Sequence, residues 1–313
     1  MRTALDTVRL GQLAAIIRSR SISKASEILG ISQPALSKNI RSLERELGVR
    51  LLERGRFGAT PTPFGLALAR HADAIDAELR TAREEIDSLR SARSGHVRIG
   101  CGPSEATRLL PLALERLHQQ APGVGVTVHY GLNEALMPMV RHGEVDLALS
   151  SVPARSIDAD LTHVLLHEDA AAIVARTGHP LLARGKAVLP QHLLSQRWIL
   201  PRSEELERRA LDDLFIEAEL SPPKADIETT SAILMKTMVI LSDYLTFLPR
   251  ELIYWEERCN QLTPLRILTP TWRRRVGVTL RARGVSSPAS QTVIEMLKAV
   301  ARSFGSKTTT SGK

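Results

Sequence analysis

SKASEILGISQPALSKNIRSLERELG, residues Ser23 to Gly48, reads as two short helices joined by a tight turn, with cations on the second. Ala25, Ile28 and Leu29 fall at i, i+3 and i+4, an apolar stripe for a first helix that Ser23 would cap and Gly30 would end. Ile31 is placed to plug the core at the turn. Ser32 can cap a second helix, and Pro34 is tolerated in its first turn because a proline there forfeits only an amide with no intrahelical partner. Leu36, Ile40, Leu43 and Leu47 repeat at 4, 3, 4 and make the buried face, leaving Gln33, Ser37, Lys38, Arg41, Ser42 and Arg45 toward solvent. Amide and hydroxyl groups stand at the N-terminal end of that exposed face and cations follow. A helix that reads base edges in the major groove and neutralises the surrounding phosphates needs this distribution, which sets the segment apart from an arbitrary helical hairpin.

Working outward, Leu10, Leu13, Ala14 and Ile17 predict a helix packed behind the pair, giving a three-helix core. After Gly48, Leu51 and Leu52 can close that core. The turn from Gly55 to Gly58, with Arg54 and Arg56, fits a short β wing whose arginines reach a groove or phosphates; a solvated loop is the simpler alternative. Charge agrees with a polyanionic partner: the chain carries a net +8, and residues 1–60 hold eleven Lys or Arg against five Asp or Glu. Thr62 and Pro63 then form an N-cap and N1 pair for a helix running to about Ser91. Leu68, Ala72, Ile75, Leu79, Ala82, Ile86 and Leu89 are spaced 4, 3, 4, 3, 4, 3 along it, a heptad seam that suits self-association, although packing on the protein's own domain would use the same pattern.

From Gly95 the pattern changes to alternating strands and helices. Strands are expected at 97–101, 126–130, 145–151, 161–167, 170–175, 198–200, 227–229, 244–248 and 274–280, with helices at 104–120, 134–142, 204–218, 231–241 and 287–303. Such βαβ units predict an α/β fold with parallel sheets. Hydrophobic residues make up 43% of the 313, and no window approaches the roughly 20 apolar residues of a membrane span. The start MRTALDTVRL has no signal-peptide core, so a cytoplasmic protein is expected. Cys101 and Cys259 lack a CxxC or histidine-spaced partner and read as buried small hydrophobes, with a thiol switch as the alternative. His163 and His167 fall in a strand, His179 in a turn-like GHPL, and no GxSxG, Walker A or HExxH motif occurs. Neither an enzyme nor a cofactor is expected.

SISKASEILGISQPALSKNIRSLERELGVRLLER followed by TPFG, and then LLPLALERL, GEVDLALSS, GHPL and FLPREL, together resemble the LysR-type transcriptional regulators over essentially the whole chain. The later segments are most similar to the branch with regulators of sugar-binding-protein and aromatic-acid catabolism genes. Departures are few: Ser26 replaces a usual alanine, Leu13 and Leu52 replace phenylalanines, and Ser242 with Asp243 stand where glycine is common. The resemblance implies an α/β protein with an N-terminal winged helix-turn-helix (1–61), a linker helix that dimerises (62–94) and an effector domain like the periplasmic binding proteins (95–303). That domain would comprise subdomain I at 95–166 and 268–303 and subdomain II at 167–267, with a disordered tail at 304–313.

Carried over by position, the DNA-binding residues are Ser23, Ser32, Gln33, Pro34, Ser37, Lys38 and Arg41, with Arg54 and Arg56 in the wing. Gln33 can pair adenine, Pro34 can touch a thymine methyl, and Lys38 and Arg41 lie on phosphates. For the effector, strand ends and helix N-termini select Gly102, Pro103, Ser104, Ser150, Ser151, Pro201, Arg202, Ser203, Thr229, Thr230, Ser231 and Phe247. Each hydroxyl can equally be a helix cap. The partners so implied are promoter DNA, a small carboxylate, aromatic acid or sugar, RNA polymerase, and further copies of the chain as a dimer of dimers. A solute-binding or ligand-processing α/β protein is the alternative.

Overall fold

Asp6 caps the first helix by accepting the Val8 amide at 3.0 Å, and α1 (Thr7–Ser19) runs until Arg20 turns left-handed at φ 51°. The computed structural model describes residues 5–55, 58–90, 95–155, 158–182, 187–267 and 272–305. Helix α2 (Ile22–Leu29) begins on Ser21, whose hydroxyl accepts the Lys24 amide, and not on Ser23 as its spacing suggested. Its expected stripe is also incomplete: Ala25 is buried, but Ile28 and Leu29 are 67% and 36% exposed. The eight-residue helix instead approaches its neighbours closely through the small residues Ala25 and Ser26. Helix α3 (Gln33–Leu47) is capped by Ser32 and ends at Gly48, φ 69°. Leu36, Ile40 and Leu43 are fully buried in it, whereas Leu47 is exposed on its last turn.

With Leu13, Ile16 and Leu51 these side chains form the first core. Strands β1 (Leu52–Gly55) and β2 (Gly58–Pro61) pair antiparallel from Leu52 opposite Pro61 to Gly55 opposite Gly58, which is the wing. Glu44 fixes its root by accepting the Leu51 and Leu52 amides at 2.8 and 3.2 Å. Thr62 then caps α4 (Pro63–Arg90), accepting the Gly65 amide at 3.1 Å. Gly65 is required there, since a Cβ would lie 2.1 Å from the Leu51 carbonyl oxygen.

At 28 residues α4 is about 42 Å long. Its heptad seam divides in two. Leu68 and Ala72 pack on the first core, while Ala77 is buried against Gly143 of the following domain. Ile75, Leu79, Ala82 and Ile86 remain exposed; Leu89 lies on the helix where side chains are not described. The side chains buried along α4, Ala69, Ala72, Asp73, Ala77 and Thr81, lie mostly beside the seam, so the chain's own domains consume only its start.

The second half contains β3 (Gly95–Cys101), α5 (Pro103–Thr107), α6 (Leu109–Gln120), β4 (Val124–Tyr130), α7 (Asn133–Arg141), β5 (Leu147–Ser151) and β6 (Leu161–Arg176). After them come β7 (Arg197–Leu200), α8 (Leu206–Glu217), β8 (Ile227–Glu228), α9 (Ala232–Leu241), β9 (Tyr244–Pro249), α10 (Tyr254–Arg258), β10 (Leu262–Pro264), β11 (Arg273–Arg281) and α11 (Pro288–Gly305). The strands form one sheet in the order β4-β3-β5-β11-β6-β9-β7-β8, with β10 on β6.

Parallel pairing was expected throughout, but β11 runs antiparallel to both β5 and β6, and β9 antiparallel to β6. The two strands expected at 161–167 and 170–175 are one strand of 16 residues. Glu168 and Asp169 between them are paired against Arg275 and Arg274 of β11, which keeps the polar midpoint within the ladder. Strand β6 thus crosses from a first lobe, with core residues Val97, Ile99, Leu149 and Val278, into a second with Trp198, Leu211, Phe215 and Phe247. Strand β11 is the other crossing element.

Ser104 is not a cap. Gly102 takes that position, and the single helix expected at 104–120 breaks at Arg108. Cys101 is buried, with burial and then Glu105 pushing its thiol well above the ordinary range, but Cys259 is exposed and not the buried hydrophobe expected. His179 is structural: its Nδ1 accepts the Leu181 amide at 3.1 Å. Phe304, assigned to the tail, instead continues α11 under Arg108. Residues 91–94, at the expected hinge, and 306–313 lie outside the described residues.

Candidate DNA-reading face and effector cleft

Ser32 starts α3 so that Gln33, Pro34, Lys38 and Arg41 lie on its exposed side. The Ser23 hydroxyl donates to Gln33 Oε1 at 3.2 Å, so the two helices jointly set the glutamine's orientation. Ser37 does not share the face: it lies three residues before Ile40, at the edge of the buried stripe, and is only 7% exposed. Among the described residues Lys24, Lys38, Arg41 and Arg45 form no ion pair. By contrast Arg9 is held by Asp6 and Glu46, and Arg18 bonds Asp73 of α4 at 2.5 Å. The cations that count toward a polyanion are therefore those on and beside α3. Arg54 stands on β1 opposite Ala59, and Arg56 lies outside the described residues.

Between the two lobes lies a cleft enclosing about 750 Å³, its mouth included. Of the positions selected by sequence, Gly102, Pro103, Ser104, Ser150, Ser151, Pro201, Thr230 and Phe247 line it. Arg202, Ser203, Thr229 and Ser231 do not; Ser231 caps α9 by accepting the Leu234 amide. The sequence reading missed Glu105, Asn133, Glu134, Glu205, Glu207 and Arg274. The four carboxylates stand in or beside the first turn of α5, α7 and α8: Glu105, Glu205 and Glu207 lie one to four residues beyond selected positions, whereas no position was selected ahead of α7, where Glu134 stands. Arg274 stands two and four residues before the buried Val276 and Val278, on the same face of the strand, which was the available signal that it points inward.

Arg274 is the hub where both lobes meet. Its guanidinium donates to Glu105 at 2.9 Å and to Asp169 at 3.1 and 3.3 Å, and it lies 3.9 Å from Glu207. Burial pushes the Glu105 carboxyl up and Arg274 draws it back, leaving it above its usual range. Burial also opposes the Arg274 charge, but Glu105, Asp169 and Glu207 more than offset that. Behind the cleft, Arg108 donates to both carboxylate oxygens of Glu251 at 3.0 Å, stacked 4.1 Å from the Tyr254 ring and 3.9 Å from that of Phe304. Trp255 Nε1 donates to the Thr107 carbonyl at 3.2 Å across the same seam. The lobes are thus tied along one edge by directional, polar contacts.

The profile described as "Bacterial regulatory helix-turn-helix protein, lysR family" matches residues 9–66, and "LysR substrate binding domain" matches residues 90–302. The transcriptional regulator PcaQ of Agrobacterium fabrum is 30% identical over 268 residues, 85% of this chain and 86% of its own length. GbpR of Azospirillum brasilense is 30% identical over 252 residues, 80% of this chain and 74% of its own. Full-length OxyR from Pseudomonas aeruginosa superposes with a TM-score of 0.69 at 21% identity, covering 96% of this chain and 95% of that one. No helix among the described residues is long and apolar enough to cross a membrane. This chain belongs to the LysR family of transcriptional regulators, with a DNA-binding helix-turn-helix ahead of an effector-binding domain.

Proposed function

We propose that the chain is a cytoplasmic, non-enzymatic regulator whose promoter binding is set by a small molecule between the two lobes. The observation that carries this is one polypeptide joining an α3 face with cations free of ion pairs, among the described residues, to a two-lobed cleft. Gln33 and Pro34 read base edges, with Ser23 and Ser32 beside them, while Lys38, Arg41 and the wing residues Arg54 and Arg56 hold phosphates. Residues 1–61, 62–94 and 95–303 act as reader, coupler and sensor. The exposed Ile75, Leu79, Ala82 and Ile86 pair with a second copy, so that two recognition helices address two half-sites; two such dimers make a tetramer.

Effector binding favours one arrangement of the lobes, and the coupling is reciprocal: DNA that prefers that arrangement tightens effector binding by the same factor. An electrophoretic shift assay on the DNA upstream of the chain's own gene tests the reading. Binding should prefer that sequence over random duplex and weaken steeply with salt. Equal affinity for both, or none, would refute it.

A further inference from the structure

The expectation of a small carboxylate drew on helix N-termini, which attract anions. Here three of the helix N-termini at the cleft, those of α5, α7 and α8, carry the chain's own carboxylates, while that of α9 has none in its first turn. Glu105 is in the first turn of α5, Glu134 in that of α7, and Glu205 and Glu207 open α8. Arg274 is the single cation lining the cleft among the described residues, and Glu105, Asp169 and Glu207 already hold it. Glu134 and Glu205 belong to opposite lobes and are close enough to repel, Arg202 partly opposing this at Glu205, and their carboxylates have no hydrogen-bonding partner among the described residues.

A second observation is independent of that charge. Ser150 is 2% exposed, lines the cleft, and its Oγ has no hydrogen-bond partner. A buried hydroxyl left unpaired is costly, so the position is explained if a bound molecule supplies the missing partner. Leu132, Leu206, Met235, Phe247 and Leu252 give the rest of the cleft a largely apolar wall, interrupted by Ser104, Asn133, Ser151 and Thr230.

We propose that the effector is an organic cation, an amine or guanidinium on a carbon body, with its charge between Glu134 and Glu205 and a polar atom on Ser150 Oγ. The proposal rests on the cleft being the effector site. It also supplies a closing force: like charges on facing lobes keep the cleft open, and a cation between them turns repulsion into attraction. Among the described residues no group of three or more His, Cys, Asp or Glu could hold a metal ion, so the apolar walls and paired carboxylates suit an organic cation better than a bare one.

The test uses the full chain, titrated calorimetrically with agmatine and spermidine, and in parallel with succinate, benzoate, galactose and calcium chloride. At least one amine should bind, and Glu134→Gln and Glu205→Gln should each weaken it roughly ten- to a hundredfold, the value of a charge-assisted contact. Failure of both amines to bind, amine binding that neither substitution weakens, or preferential binding of an acid, galactose or calcium would each overturn the proposal. Thr230→Trp, at an exposed position on the cleft, separates this from failure of the effector reading. If an acid or galactose binds and Thr230→Trp blocks it, the cation assignment falls and the cleft stands. Should Thr230→Trp alter neither ligand binding nor the DNA footprint, the cleft falls as well.

Discussion

Replacing Arg274 by Met tests whether the hub between the lobes is structural. Methionine keeps most of the apolar stem and removes the guanidinium. Glu105 and Asp169, with side chains 2% and 4% exposed, then lose the hydrogen bonds at 2.9 and 3.1 Å that compensate their burial. Removing one member of a buried ion pair costs about 3–5 kcal/mol, chiefly because the other charge is left uncompensated. The three tryptophans, Trp198, Trp255 and Trp272, all lie in the effector half, so urea unfolding followed by tryptophan fluorescence reports on that half of the full chain.

The loss should depend on pH in one direction. Glu105 already titrates above its usual range, burial being the largest cause, and without Arg274 it would rise further. A carboxyl whose folded pKa is raised favours the native state when protonated. The cost of Arg274→Met is therefore fully present at neutral pH and shrinks as pH falls through the raised range. The triple change with Glu105→Gln and Asp169→Asn should recover much of the loss, since no buried charge is left. A loss under about 1 kcal/mol, or one that does not change with pH, would refute the assignment of Arg274 as a buried electrostatic hub.

Gln33→Ala should relax the preference at one base pair, by about 1–3 kcal/mol, whereas Lys38→Ala should weaken all duplexes alike and reduce the salt slope by about one; titrations on specific and random DNA distinguish them. Leu79→Lys should shift sedimentation toward monomer while leaving the tryptophan-monitored midpoint unchanged, because Leu79 is 59% exposed in the protomer. Ser150→Ala should stabilise the ligand-free protein by about 1 kcal/mol in the same urea assay, since it removes a buried hydroxyl that has no partner. Glu205 titrates above its usual range through burial first, then Glu134 and Glu207, with Glu204 adding and Arg202 opposing. A cation favours the ionised form, so agmatine affinity should rise with pH through that raised range; a calorimetric profile that stays flat as pH rises from the usual carboxylate range would contradict it.

Local rules determined much of the DNA-binding half. Ser32, Pro34, Gly48 and the Leu36, Ile40, Leu43 stripe fix α3 within its own fifteen residues, and Thr62 with Pro63 fixes the start of α4. Capping and helical period act between near neighbours, so sequence alone carries them. Exposure of Ile28 and burial of Ser37 needed the third dimension, because each depends on how closely a neighbouring helix approaches. The α4 seam shows the same limit: its spacing promised a partner, but only the fold showed that Leu68 and Ala72 pack on the protein's own core and Ile75, Leu79 and Ile86 remain exposed.

In the cleft, strand-end positions such as Gly102, Ser150 and Thr230 were legible because a turn there must leave backbone groups unpaired. Its charge was not. Glu105 and Arg274 are 169 residues apart, and Glu134 and Glu205 come from different lobes; sequence gives each carboxylate, but the sign of a site is the sum over groups that only the crossing of β6 and β11 brings together.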